Sequence, residues 1–312
     1  MIAASYRRNG SSLPFLALLA SVVFWAANAR AYTTLVETDS QYHHILVTED
    51  ADGYRRLSFE RSRGNQSAVR MGHPEELYFP YARTTFVSFA FLPKIPQDVL
   101  CVGLGGGSLP MFWRRFFPEM NIDIAEIDPE VVRVAQEFLG FKPDNAMKVS
   151  NADGRVFLRR TDRTYDLILL DAYDSHTIPF HLTTREFLEI VKKRLKPGGI
   201  VAANIWSPES NKFHYAEIAT YQAVFGRVYI FQAKGSGNYI FVTQKENQER
   251  SIDSLVERAK AIMEESKLPF DLPPLVRDQV VPITSETPKA EVLTDDYAPV
   301  DLLRNQAQSE KP

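Results

Sequence analysis

From Val99 onward the chain alternates short apolar runs with helix-length segments, and its first run leads straight into a cluster of glycines. Val99-Leu-Cys-Val-Gly-Leu reads as a buried strand, Gly103-Leu-Gly-Gly-Gly-Ser as a tight turn, and Leu109 to Phe117 as the helix after it. The pattern then repeats. Ile122-Asp-Ile-Ala-Glu-Ile is a second strand, followed by a helix from Pro129 to Leu139. Met147-Lys-Val-Ser, Tyr165-Asp-Leu-Ile-Leu-Leu-Asp and Gly198-Gly-Ile-Val-Ala-Ala-Asn-Ile are three more strands, with a helix over Thr184 to Arg194 before the last. Such alternation predicts an α/β fold with a parallel sheet covered by helices on both faces. Tyr229-Ile-Phe and Tyr239-Ile-Phe-Val-Thr are expected to close it as antiparallel strands, and residues 250–266 to form a late helix.

The loop and the strand ends carry the chemistry. A glycine turn between strand and helix lets a ligand approach the backbone, and Gly103, Gly105, Gly106 and Gly107 are the candidates for that contact. An acid at the carboxyl end of the next strand, about 20 residues further on, is placed to accept from ribose hydroxyls. Glu126 is that candidate, and Asp128 is read as the cap of the helix opened by Pro129. The loop reads G-x-G-G-G and lacks the later glycine of a dinucleotide fingerprint, so a nucleoside without pyrophosphate fits better, namely an adenosyl sulfonium compound. This is a Rossmann-like core. Asn151-Ala-Asp153-Gly154 follows the third strand, where Asp153 is either a partner for an adenine edge, a helix cap, or both. Asp171 and Asp174 end the fourth strand, facing the crevice where open α/β sheets bind ligands. Carboxylates there bind a cationic amine or take its proton. Asp166 begins the same strand, at the opposite end.

Upstream, residues 32–72 read as a small β-rich domain, with Asp50-Ala-Asp-Gly as a turn and Tyr54-Arg-Arg-Leu-Ser-Phe-Glu as a half-buried strand. Residues 73–304 are the main domain, with a helix expected over 74–92 opened by Pro74, and residues 305–312 are a polar tail. Residues 1–31 have the form of an export signal. Arg7-Arg8 precedes an apolar stretch too short for an ordinary membrane span, and Ala29-Arg30-Ala31 offers a cleavage site. The expected location is therefore periplasmic or secreted; a membrane anchor, if the segment stays uncleaved, and a cytoplasmic protein are the alternatives.

A net charge of -3 gives no reason to expect nucleic acid as a partner, and the basic pairs Arg55-Arg56 and Arg159-Arg160 are read as solvated faces. The single cysteine, Cys101, lies in the first apolar run and is read as a buried strand residue. It excludes both an intramolecular disulfide and a cysteine metal cluster. No histidine spacing suggests a metal site. His43 and His44 are expected to point to opposite faces, His73 to the surface, His176 and His181 to the pocket, and His214 to either surface or pocket. A hydrolase's nucleophile elbow is missing as well.

Val102-Gly-Leu-Gly-Gly-Gly, Glu126-Ile-Asp, Ala152-Asp-Gly and Asp171-Ala-Tyr-Asp, in this order and spacing, resemble the spermidine/spermine synthases, the polyamine aminopropyltransferases. The similarity runs from about Ser40 to Ile205 and points to a divergent spermidine-synthase-like branch, which Leu293-Thr-Asp-Asp-Tyr-Ala-Pro-Val also resembles. The resemblance implies a methyltransferase-type sheet behind a small N-terminal antiparallel β domain. It implies transfer of an aminopropyl group from decarboxylated S-adenosylmethionine to a small amine, with no metal or prosthetic group, and a possible homodimer. By resemblance, Asp171 is the general base, Asp174 holds the amine, Glu126 binds ribose and Asp153 lies by adenine. Gln66, Tyr81 and His43 match positions that line the substrate pocket. Three positions depart from the family pattern. Ser108 replaces the aspartate that holds the donor's ammonium, His43 replaces a glutamine in Ser40-Gln-Tyr-His43, and Phe79-Pro-Tyr81 replaces a Y-H-E or Y-Q-E motif. Two other functions stand beside the transferase: a methyltransferase using intact S-adenosylmethionine, and a non-catalytic nucleoside- or polyamine-binding protein of the periplasm.

Overall fold

The computed structural model describes residues 32–60, 65–172 and 179–297. The signal-like segment 1–31, Asp174, His176 and the tail 305–312 lie outside them. Four strands come first: β1 (Thr33–Asp39), β2 (His44–Glu49), β3 (Tyr54–Ser58) and β4 (Ser67–Arg70), paired antiparallel in the order 1-2-3-4. Eight more build the main sheet: β5 (Asp98–Val102), β6 (Asn121–Glu126), β7 (Met147–Asn151), β8 (Tyr165–Leu170), β9 (Leu195–Trp206), β10 (Tyr229–Ala233), β11 (Asn238–Gln244) and β12 (Val280–Val281). Their order is 12-10-11-9-8-5-6-7. Strands β7, β6, β5, β8 and β9 run parallel, and β11, β10 and β12 extend the sheet antiparallel.

The two faces of this sheet are built from alternate residues of the same strands, as period-2 geometry requires. Val99 and Cys101 of β5, Leu167 and Leu169 of β8, and Ile200 and Ala202 of β9 join one core, covered by the helices Ser108–Phe116 and Ile252–Ser266. Leu100 and Val102, Ile168 and Leu170, and Val201 and Ala203 join the other, covered by Arg185–Lys193 and His214–Phe225. The small sheet packs Ile45, Val47, Leu57 and Val69 on Val131 and Val134 of the Pro129–Phe138 helix and on Leu139 at its end. Ser40 ties that sheet down: its hydroxyl donates to Asp128 (2.5 Å), whose other oxygen caps the helix by accepting from the Glu130 amide.

Two sequence expectations are corrected. The helix expected from Pro74 starts instead at Pro80 and is two short pieces, an α-turn over Pro80–Thr84 and a 3-10 helix over Thr85–Phe91. Residues 73–76 are spent on a turn, with the Glu76 amide on the His73 carbonyl and the Glu76 carboxylate held by Arg70 and Tyr54. The Thr85 and Ser88 hydroxyls then bond back to carbonyls three residues earlier, which favours the tighter helix. The second correction concerns Arg55-Arg56, which is not a solvated face. Arg56 is buried against Asp50 at 2.5 Å, with Tyr54 and Tyr78 around its guanidinium, and Arg55 pairs with Glu49. Arg159 and Arg160 are exposed. Among the described residues no helix is long and apolar enough to cross a membrane.

The segment Leu293 to Tyr297 returns to clasp the starts of two helices, Gly154–Arg160 and Arg185–Lys193. Asp295 takes Arg155 in a two-point ion pair (2.7 and 2.5 Å) and accepts from the Thr184 hydroxyl, while the Arg185 amide donates to the Leu293 carbonyl. The Arg155 guanidinium, with Thr184, pulls the Asp295 carboxyl down to about 2. Its folded value thus lies below the unfolded one, so the stabilisation is complete above the unfolded carboxylate range and is lost as pH falls towards 2. Asp295→Asn is therefore expected to lower the melting temperature at pH 7, and the gap from the parent should close in thermal scans between about pH 4 and 2.

Candidate active site

The carboxyl ends of the parallel strands meet the small sheet around one cavity of about 730 Å³. Gly103 and Gly105 reach it from β5, Glu126 from β6, Asp153 and Gly154 from beyond β7, Asp171 from beyond β8, and Asn204 and Trp206 from β9. The small sheet adds Tyr42, His43, Phe59, Gln66 and Ser67; the Pro80 helix adds Phe79, Pro80 and Tyr81; the turn before β11 adds Gly235 and Ser236, and β11 adds Asn238. Ser108 lines the wall at the first turn of its helix. Gly106 and Gly107 stand behind the wall: Gly106 packs on Ser67 and Leu139, and Gly107, at φ 74°, packs on Phe141 and precedes the helix.

Gly103 is fixed by two demands at once. Its φ is +101°, and a Cβ there would overlap the carbonyl oxygen of Asp171. Its amide donates to the Ala125 carbonyl, and the Asp171 amide donates to the Val102 carbonyl. The glycine thus lets the ends of β5, β6 and β8 converge.

Each carboxylate has a distinct setting. Glu126 is buried, accepting from the Leu104 amide at one oxygen (2.8 Å) and the Asp128 amide at the other (3.0 Å). Burial pushes its carboxyl up, against the pull of those amides. Asp153 does two jobs: one oxygen caps its helix at the Val156 amide (2.9 Å), and the other meets His181 Nε2 (2.7 Å). The His181 contact holds the Asp153 carboxyl below its ordinary value. Asp171 is held by the Asn204 amide (2.8 Å) and the Tyr81 hydroxyl, and burial pushes its carboxyl up despite both donors. Tyr81 is raised in turn, by burial first and then by Asp171.

His43 stacks flat on Phe59, with ring centroids 3.9 Å apart, and faces the cavity; His44 opens β2 on the other side and meets Glu37 and Asp39. His214 belongs to neither surface nor pocket: it is buried, bonded to the Trp206 carbonyl and packed on Tyr239 and Phe241. Cys101 is buried behind Asp171, and burial raises its thiol well above the usual range. His73, Glu75 and Glu76 are close enough to share a cation but lie outside the cavity wall, already bonded to one another and to Arg70. Asn204 and Asn238 were not among the residues expected from sequence. Asn204 does carry a signal, as the single polar side chain in an otherwise apolar strand run.

The spermine/spermidine synthase domain model matches residues 82–250, the stretch that supplies most of this wall. A polyamine aminopropyltransferase of Vibrio vulnificus (strain CMCP6) is 35% identical over 283 residues, covering 87% of this chain and 92% of that protein. The chain belongs to the spermine/spermidine synthase family. A probable spermidine synthase from Corynebacterium glutamicum has the same fold, with a TM-score of 0.66 over 84% of this chain and 98% of that one at 20% identity. Human methyltransferase-like protein 13, solved with SAH, is 30% identical with a TM-score of 0.56 over 61% of this chain and 94% of that one.

Gly103→Ala is expected to cost about 2–4 kcal/mol of stability, from the positive φ and the overlap with backbone together. Chemical denaturation measures that loss.

Proposed function

We propose that this family member is a transferase that moves an aminopropyl group from decarboxylated S-adenosylmethionine to a small amine. The observation that carries this reading is Asp171: a carboxylate held by Asn204 and Tyr81 on the wall of a cavity that also presents Glu126, Asp153 and an aromatic wall of Phe79, Tyr81 and Trp206. In this reading Glu126 takes the ribose hydroxyls, Asp153 the adenine side, and the aromatic wall the methylene chain of the acceptor. Gln66, His43 and Asp174 are assigned to substrate binding from the family motif.

Asp171 removes a proton from the acceptor ammonium and frees its lone pair. The nitrogen attacks the methylene beside the sulfonium, the carbon–sulfur bond breaks, and its electron pair stays on sulfur, leaving neutral methylthioadenosine. Electrostatics favour the decarboxylated donor. The described cavity wall contains Glu126, Asp153 and Asp171 and neither lysine nor arginine, so the α-carboxylate of an intact donor would meet no permanently charged cation there.

A second reading, methyl transfer from intact S-adenosylmethionine, is favoured by Ser108, which puts a hydroxyl where the family pattern has a carboxylate, and by the likeness to human methyltransferase-like protein 13. Purified protein incubated with each donor and a panel of diamines separates the two. Methylthioadenosine release is expected from the decarboxylated donor, reduced roughly 10²–10⁴-fold in Asp171→Asn. Release of S-adenosylhomocysteine from the intact donor alone would overturn the first reading. Ser108→Asp is expected to tighten binding of the decarboxylated donor about tenfold by restoring a charge-assisted partner for its ammonium, read by calorimetry.

A further inference from the structure

Asp171 is the near end of a row of amides. Asn204 donates from Nδ2 to Asp171 (2.8 Å), and Asn204 Oδ1 accepts from Nδ2 of Asn238 (2.9 Å). The register of the two strands creates the row. β9 and β11 pair antiparallel with Asn204 opposite Ile240 and Asn238 opposite Trp206, so the two amides are diagonal neighbours on one face. The turn before Asn238 is itself pinned, by the Ser207 amide on the Gly237 carbonyl. Asn204 is buried and both amides line the cavity.

An asparagine side chain is nearly symmetric in shape and opposite in chemistry at its two ends. A carboxylate only accepts, so Asn204 must turn its NH2 group to Asp171; turned over, its oxygen would face a carboxylate oxygen. A donor on the far side removes that alternative, and Asn238 is that donor. We propose that Asn238 is a positioning residue that locks the Asn204 amide in the orientation that donates to Asp171, and so keeps the base aimed at the acceptor. The proposal rests on the reading of Asp171 as the base. Among the described residues the other titratable groups that act on Asp171 are Tyr81 and Cys101. Asn204 and Tyr81 each draw the Asp171 carboxyl down, so losing the Asn204 donor moves it up.

The test is a double-mutant cycle on methylthioadenosine release with the decarboxylated donor and a diamine. Asn238→Leu is expected to lower kcat about tenfold, to shift the acid limb of the kcat/KM profile to higher pH, and to leave calorimetric donor affinity unchanged. Asn204→Leu should do the same, and adding Asn238→Leu to it should cost nothing more, because the second residue acts only through the first. Asn238→Ala removes the donor without adding a charge, so it gives the same readout if the leucine variant fails to fold. An unmoved acid limb in the Asn238 variants, or a full additional loss in the double variant, overturns the proposal while Asp171→Asn remains inactive. An Asp171→Asn variant that retains transfer overturns the base reading itself, and the proposal with it.

Discussion

The site depends on one close approach, that of the Gly103 backbone to the backbone of Asp171. Two parallel strands can end side by side without their loops touching. Here the loops meet so tightly that a single methyl group at Gly103 has no room. That contact fixes where β5 turns towards its helix and where β8 lets go of the sheet. It sets the loop that carries Asp171 against the glycine turn, with Glu126 one strand away. The main-chain bonds from Gly103 to Ala125 and from Asp171 to Val102 hold the convergence from both sides.

Around that point the carboxylates are held in place. Glu126 is held by backbone amides at both oxygens, and Asp153 by a backbone amide at one oxygen and His181 at the other, so the fold itself fixes the directions of both carboxylates. The same cavity wall carries Asp171, held by Asn204 and Tyr81, and the rings of Phe79, Tyr81 and Trp206.

Much of this was legible from sequence because it is local. The glycine turn, the acid at the end of β6 and the Asp128 cap each announce themselves within a few residues, and the parallel strands fall where the apolar runs lie. What sequence hid was created by distance. Arg56 looks like a surface residue until Asp50 and the ring of Tyr78 are folded around it. The expected helix from Pro74 failed because Arg70 and Tyr54 claim the carboxylate of Glu76. Asn204 and Asn238 are 34 residues apart and meet only through strand register. A polar side chain alone in an apolar strand is nonetheless a clue, since burial obliges it to find a partner.

The clasp between Arg155 and Asp295 has a consequence in time. The two residues are 140 positions apart, and the guanidinium also holds the carbonyl of His181, whose ring meets Asp153 on the cavity wall. A ribosome releases Arg155 long before it makes Asp295. During synthesis the sheet can therefore assemble while this side of the wall still lacks its outer support. The order of manufacture is the reverse of the order of use: the last described stretch of chain braces a wall whose own residues were made much earlier.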